Sequence, residues 1–572
     1  LLWKTYEKQA EAGLPDVFFE RLGSSIRING TGPPVLSIYR SPGQIKKTWI
    51  DGDIRIGHPS LPARDCETQF EIIRHWLEDC DCNHRDSSCA PESSFVNQRT
   101  PSGSNSAHRL PTRVLRVGKK NEVKVYLLET TPDDKGEWIA LSHQWGTGQQ
   151  FRTTKDNRQD HIGGIDFAVL PDTFKHAVEV TQALGCSYLW IDSLCIVQGC
   201  GGDFNQEAKR MEQVYSGAYC VLASSRSPGH FAGFLQPRNE RDSVTLQLEG
   251  ASAPFYICEA IDDFNIHVLD GSLNKRGWIL QEHALARHTV YFTDYQMYFE
   301  CGDGVRCESM TKMDNNLAKF LGDPNFPQII IKTNQGERIL WCQDLYRKYS
   351  GMGLSQPSDR PLTIDGLQAR IISALRFLGG FGIFDEGGKK RNKREFLRRS
   401  LLWRRSDDTQ TLFRINFPPD YAITKVPSWS WMAYTGGTDY ISPPFGDVDW
   451  QELQSPWSSS SGAFGGGSRT EDRGGSLDLI GKARDYVSLE PSDGQGEIVL
   501  DHPGGSQPLA TKAIVLGVQK GKAHISYRTH YLLIIAEPAA RDREGRRVYE
   551  RVGAGMLPGR CVTGEPMRVK IQ

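Results

Sequence analysis

The chain has 572 residues, more than one hydrophobic core usually supports, so two or more packed units are expected. A hydrophobic fraction of 38% suffices to build them, while a formal net charge of -1 supplies no global field to draw the molecule onto nucleic acid or an anionic membrane. No run approaches the roughly 18–20 uncharged apolar residues of a membrane span, so the chain reads as soluble.

The opening LLWKTYEKQA shows no signal-peptide pattern, and the chain does not begin with Met. Thirteen cysteines, an odd number, lie singly in apolar runs, which suits reduced thiols better than a disulfide framework. A cytoplasmic home is expected, with the nucleus as the alternative.

Residues 1–107 read as a loosely structured arm rich in Gly and Pro, then a Cys-bearing helical segment. In the latter, Phe70, Ile73 and Leu77 recur at helical spacing within Glu67 to Leu77. Pro91 to Ala107 reads as a loop. Within 108–310, Thr112 to Val117 and Val123 to Leu128 form a predicted strand pair, and Trp138 to Ser142 is the next strand. A helix opens at Pro171, buries Phe174, Ala177, Val178, Thr181 and Leu184 and stops at Gly185. Tyr188 to Asp192 is a second strand. Asp203 and Gln206 make a capping box for a helix bearing Met211, Val214, Tyr215 and Ala218, and Tyr219 to Ala223 is a third strand. This alternation predicts an α/β domain of the flavodoxin-like or Rossmann-like class, with the three strands neighbours in one parallel sheet.

Residues 311–426 read as a helical section, clearest over Ile339 to Tyr349 and Gly366 to Leu378, followed by the basic run Lys389 to Arg398, which reads as solvated. Residues 427–572 open on PSWSWMAY and read as a β-rich C-terminal module. It carries a Ser/Gly linker at 458–475 and strands at Ala513 to Val518 and His530 to Ala536.

Open parallel sheets bind ligands outside the carboxyl ends of their strands, which directs attention to Ser142, His143, Trp145 and Gly146 after the first strand and to Asp192, Cys195 and Gln198 after the second. A carboxylate at Asp192 can orient a ribose, hold a base or cap a backbone turn, and a thiol set among Leu194, Ile196 and Val197 is more often a small hydrophobe than a nucleophile. Glu207 lies in a first helical turn, where the dipole favours a carboxylate in any case. Trp278, Gln281, Glu282 and Leu285 recur at i, i+3, i+4 and i+7, so burial of the Trp and Leu carries Gln281 and Glu282 inward. They are expected to face the strand end that bears Asp192, with Arg276 as the neighbour of Glu282. Cys80, Cys82, His84 and Cys89 are zinc-type ligands, but they lack a second Cys-x-x-Cys knuckle, and no metal is expected.

The runs WIALSHQWG, WIDSLCIVQ and RGWILQE, in that order, together with WLEDC, LPTRVLRV, RSLLW, VPSWSWMAY and ERVGAGML, make the chain resemble the fungal heterokaryon-incompatibility (HET) domain family. The matching positions are Leu141, Ser142, Trp145, Gly146, Trp190, Ile191, Asp192, Cys195, Ile196, Gln198, Glu207, Met211, Tyr215, Arg276, Trp278, Gln281 and Glu282. His143, Gly199 and His283 depart from the residues usual there, and Gly199 leaves the loop after Gln198 less acidic than typical.

The resemblance implies a fungal non-self-recognition effector that triggers programmed cell death, on a core likened to Toll/interleukin-receptor-type domains. It implies a protein partner or self-association, and NAD as the substrate if the domain is catalytic, with no cofactor required. Asp192, Glu207 and Glu282 are then the candidate catalytic carboxylates. Against this stand a scaffold whose motifs only stabilise the fold and, third, a small-molecule tailoring enzyme on the same fold.

Overall fold

The computed structural model describes residues 3, 7, 17–30, 34–40, 54–57, 66–84, 108–120, 122–238, 241–247, 254–309, 311–313, 320–321, 326–387, 395–418, 425–457, 477–487, 496–503, 510–537 and 548–572. The expected loop Pro91 to Ala107 and linker 458–475 lie outside them. The chain divides into two compact units, Leu1–Lys275 with Glu282–Phe326, and Arg276–Gln281 with Pro327–Gln572. No helix among the described residues is long and apolar enough to cross a membrane.

The first unit is built on a mixed ten-stranded sheet. Its strands are β1 (Arg113–Arg116), β2 (Lys124–Glu129), β3 (Trp138–Ser142), β4 (Ile165–Asp166), β5 (Tyr188–Ile191), β6 (Cys220–Ala223), β7 (Thr289–Phe292), β8 (Met297–Cys301), β9 (Gly304–Cys307) and β10 (Lys312–Met313), in the order β4-β2-β1-β5-β3-β6-β7-β8-β9-β10. The pairs β5/β3, β3/β6 and β6/β7 are parallel. Every other neighbouring pair is antiparallel. The α/β class is therefore observed, but the sheet is parallel only at its centre, where helices supply the crossovers. Short turns at the flanks, such as 117–123 and 293–296, leave room only for antiparallel return.

β3 is buried along its whole length, as a strand enclosed by neighbours and covered on both faces must be. Helix α1 (Cys66–Asn83) lies against β8, stacking Trp76 on Phe299 with centroids 5.7 Å apart. Helix α2 (Asp172–Ala183) follows Pro171 as expected and buries Phe174, Ala177, Val178, Val180 and Thr181. The expected capping box at Asp203 does not form: its carboxylate pairs with the buried Arg113 guanidinium and accepts the amide of Val197 at 2.9 Å. A charged partner is the stronger hydrogen-bond donor, and the chain beyond becomes short helical pieces ending in α3 (Met211–Gly217).

The N-terminal arm is not loose where it is described. Phe19–Leu22, Ser25–Ile28 and Leu36–Arg40 join Phe255–Glu259 and Ser243–Leu246 in an antiparallel sheet, with Leu36–Arg40 registered directly on Phe255–Glu259. Sequence reading missed this because the partner strand lies more than two hundred residues away. Asp262 fastens this sheet to the larger one, accepting Tyr39 Oη at 2.8 Å, Ser309 Oγ at 2.6 Å, Gln296 Nε2 at 2.9 Å and Thr311 Oγ1 at 2.9 Å. Burial pushes its carboxyl up, but those donors outweigh burial and hold it below the usual carboxylate range.

Helix α4 (Gly277–Leu285) carries few polar residues and is buried almost all round. Its first turn, Arg276–Gln281, belongs to the second unit and its remainder to the first. The second unit contains helices α5 (Gln335–Ser350), α6 (Asp365–Leu375) and α7 (Glu395–Leu401). Its strands are β11 (Val448–Trp450), β12 (Leu479–Tyr486), β13 (Glu497–Leu500), β14 (Thr511–Gln519), β15 (Thr529–Ala536), β16 (Val548–Pro558) and β17 (Val562–Ile571). Strands β14, β12, β17, β16 and β15 pair in a ring that closes through β15/β14, so these five form a small barrel around Ala513, Leu532, Ile534 and Leu557. The basic run, expected to be solvated, turns inward at Arg398 and Arg399. Arg398 donates to the Gln451 carbonyl, and Arg399 pairs with Glu395 and lies over Phe445; α7 faces the unit's interior on that side, and Lys389 to Arg394 lie outside the described residues.

Two consequences can be measured. Arg551, buried over the Trp403 ring, is paired with buried Asp501. Asp501→Ala strands that guanidinium and is expected to cost about 3–5 kcal/mol in urea unfolding, whereas Lys482→Ala, in an exposed pair with Glu452, should cost under about 1 kcal/mol. In the same unit Asp359 accepts Trp278 Nε1 at 3.3 Å, and burial raises its carboxyl from 3.8 to about 6 against the opposing indole bond. Because the folded value is raised, its contribution to stability is fully present below about pH 4 and is lost as pH rises through about 6. Asp359→Asn should flatten melting temperature between pH 4 and 6 and stabilise the protein by ~2 kcal/mol at pH 7.5; equal pH profiles for the two proteins would refute the assignment.

Candidate functional site

The parallel strands β5, β3 and β6 end at one edge of the sheet, and the residues that follow each strand meet there. β3 runs into His143, Trp145 and Gly146, β5 into Asp192, and β6 into the loop that holds Ser224, Ser227, Gly229 and His230. The Ser142 carbonyl accepts both the amide and the hydroxyl of Ser224, at 3.0 and 3.3 Å, which ties the first turn to the third. Gly146 has φ +77, and a side chain there would meet the Cα of Gly229 at 3.2 Å. A glycine at each position lets the two backbones touch.

Asp192 is the centre of this edge. Its Oδ2 accepts Trp145 Nε1 at 2.8 Å, its Oδ1 accepts the Ser193 amide at 2.6 Å, and Oδ1 lies 3.8 Å from His143 Nδ1. The His143 side chain is 1% exposed and that of Asp192 22%, so one carboxylate presents a face to solvent while an imidazole backs it from the interior. Gln198 Nε2 donates to the Asp192 carbonyl at 3.3 Å, and the Gln198 amide donates to Thr153 at 2.8 Å. Those bonds seat the segment 151–154 beside the turn after β5. The carboxylate is thus held in one orientation by two bonds, one from the Trp145 indole in the loop after β3 and one from the adjacent Ser193 amide.

Behind it lies a nest of rings. His143 packs edge-on to Phe174 at 5.2 Å and lies 5.1 Å from His230, while His230 lies 4.7 Å from Phe174 and 5.9 Å from Trp145. His230 Nδ1 accepts the Phe151 amide at 3.1 Å, which places its proton on Nε2. The Thr153 hydroxyl donates to the Leu194 carbonyl at 2.7 Å and lies 2.9 Å from His161 Nδ1. His230, Phe151, Thr153 and His161 were not singled out in the sequence. His230 was accessible to the strand-end rule, since it follows the Pro-Gly turn seven residues beyond β6; the other three sit on a segment with no strand or helix signal.

The remaining candidates are distributed. Cys195 is fully buried, and burial pushes its thiol up to about 12, with Asp192 and Glu207 adding to the rise and Arg113 opposing it. That is the profile of a small core residue, not a nucleophile, and its carbonyl serves by accepting Arg113 Nε at 2.7 Å. Glu207 is buried and paired with Arg210 at 3.0 Å. Trp278 and Gln281 fall in the second unit, where Asp359 takes the indole and the Gly366 amide donates to Gln281 Oε1 at 3.1 Å. Arg276 bridges to Gly353 in the same unit. Glu282 is buried in the first unit. The set expected to converge from the third motif is therefore divided between the units. The structure gathers Ser142, His143, Trp145, Gly146, Asp192 and Gln198.

The model of the family described as Heterokaryon incompatibility protein (HET) matches residues 138–282, from the first residue of β3 to Glu282. No curated protein and no solved structure matches the chain. The matched span contains β3, β5 and β6 and every residue gathered around Asp192, so over residues 138–282 the chain is similar to the HET domain family.

Proposed function

We infer from the match of residues 138–282 to the HET family model that the chain takes part in heterokaryon incompatibility. We propose that the chain is an effector of that response, that it triggers cell death, and that the Asp192 edge acts on NAD. The order β5-β3-β6-β7 of the parallel strands, with the second strand in sequence beside the first, supports a doubly wound reading of this core akin to Toll/interleukin-receptor-type domains. The observation that carries the proposal is a part-exposed carboxylate at a strand's carboxyl end, held by Trp145 and the Ser193 amide and backed by His143.

In NAD hydrolysis the bond between the ribose and the nicotinamide nitrogen breaks, the departing ring keeps the electron pair, and positive charge develops on the ribose. A fixed carboxylate stabilises that charge, and water then adds to the ribose with release of a proton. Asp192 is suited to the first task, and the part-exposed face of Trp145 offers a surface on which a flat base stacks. His143, with Nδ1 3.8 Å from Oδ1, backs the carboxylate from the interior. The cysteines whose side chains are described are free, which supports a reducing compartment such as the cytoplasm.

A second reading has its own support. Both Asp192 oxygens are already engaged by protein donors, as in a motif that pins loops together for self-association. Purified protein incubated with NAD separates the two. Nicotinamide release that falls by about 10²-fold or more in Asp192→Asn, with an unchanged melt, is the expected result. An inactive wild type that still signals death in cells would make the scaffold the correct account.

A further inference from the structure

We propose that Cys80, His84 and Cys301 bind a zinc-type divalent cation, with His288 as the fourth ligand. The three form a group whose ligand atoms all lie within 4.8 Å of one another; His288 stands outside that group and of the three reaches only Cys80, so its imidazole must move toward His84 and Cys301 to close the tetrahedron. Cys80 and His84 are one helical turn apart at the end of α1, and the His84 amide still donates to the Cys80 carbonyl at 3.0 Å, so both side chains leave the same face. Cys301 is the last residue of β8, the strand on which α1 rests through Trp76 and Phe299. His288, just ahead of β7, brings Nε2 to 3.3 Å from Cys80 Sγ, and Cys301 Sγ lies 3.9 Å from His84 Nδ1. Ligands about 2.0–2.3 Å from a tetrahedral zinc lie about 3.5 Å from each other, between these two values.

The outer contacts orient both imidazoles. His288 Nδ1 lies 2.8 Å from the Tyr219 carbonyl, which can only accept, so that nitrogen carries the proton and Nε2 turns its lone pair to Cys80. His84 Nε2 lies 3.2 Å from Asp303 Oδ2, which fixes its proton there and leaves Nδ1 to face Cys301. Arg306 Nη2 is also 3.5 Å from His84 Nε2, but Arg306 is committed to Asp79 and Asp303, and Lys312 holds Asp303 at 2.7 Å. A carboxylate and a backbone carbonyl behind the two ring nitrogens are the partners that metal-bound histidines use.

Charge makes the same case. Cys80 and Cys301 are buried, where two thiolates alone would be costly. On binding, each thiol loses its proton to solvent and each sulfur donates a lone pair, so a dication and two thiolates sum to zero. Four protein ligands leave no open position, so the role is structural: the ion clamps α1 to the sheet. The expected grouping of Cys80, Cys82, His84 and Cys89 differs, since Cys82 is exposed and Cys89 lies outside the described residues.

The test is metal content of the full chain, purified without a metal-affinity step and loaded with Zn(II) or Co(II). About one equivalent of zinc is expected, retained by Cys82→Ser and lost by Cys301→Ser and by His84→Ala. Bound Co(II) should show strong visible d–d bands and thiolate charge transfer, and His288→Gln should weaken or shift them. Removal of zinc by a chelator should lower the melting temperature of the wild type but not of Cys301→Ser. Should Cys301→Ser fail to fold, the wild-type cobalt spectrum and the His288→Gln comparison decide. Substoichiometric metal after loading, a Cys80–Cys301 disulfide in the purified protein, or a cobalt spectrum without thiolate bands would overturn the site; an unchanged spectrum in His288→Gln would overturn His288 as the fourth ligand.

Discussion

The parallel pairing of β3 with β5 on one side and β6 on the other is the constraint from which the candidate site follows. Parallel neighbours end on the same side of a sheet, so three segments far apart in the chain must turn back at one edge. With Ile191 registered on Leu141 and Ala223 on Ser142, the three strands end within a residue of each other. The turns that follow are then crowded, and the Gly146–Gly229 contact and the double bond from Ser224 to the Ser142 carbonyl are how that crowding is resolved. A register slip of one residue in β5 would move Asp192 by about 3.3 Å and reverse its face, which would separate it from Trp145.

The core strands and their pairing were legible because each signal is local. Trp138 to Ser142 is an unbroken apolar run, Pro171 and Gly185 bracket α2, and the helices between strands are long enough for a crossover. The six gathered residues, Ser142, His143, Trp145, Gly146, Asp192 and Gln198, were readable from their place at or after the ends of such strands. The antiparallel flanks and the closed barrel of the second unit were not. A short turn announces that a strand returns, but nothing local in Thr529–Ala536 tells that it pairs with β14 on one side and β16 on the other.

The misreadings share one cause, competition among partners that sequence spacing does not rank. Asp203 has the spacing of a cap, yet a buried guanidinium outbids a backbone amide for its carboxylate. The i, i+3, i+4, i+7 pattern of α4 correctly signals burial of Gln281, Glu282 and Leu285, with Trp278 half-buried. It assumes one buried face toward one neighbour, whereas this helix is enclosed nearly all round and its first turn belongs to a different unit from Glu282. Periodicity reports that a polar group is buried; it does not identify the partner that satisfies it.

The same distinction governs the two chemical sites in the first unit. Around Asp192 the contributing residues lie on consecutive strand ends, so a topological rule locates them together. Around Cys80 only the i, i+4 pair with His84 is local, and the remaining proposed ligands lie just ahead of β7, the last parallel strand, and at the end of its antiparallel neighbour β8. A spacing rule for metal sites searches one stretch of chain and so finds Cys82 and Cys89, its nearest candidates. β7 connects the two sites physically: it pairs in parallel with β6, whose trailing loop supplies His230, and the residue before it is His288. An ion that fixes His288 would therefore fix the near end of β7 against β6, and loosening it would act on the strand whose far end shapes the Asp192 edge.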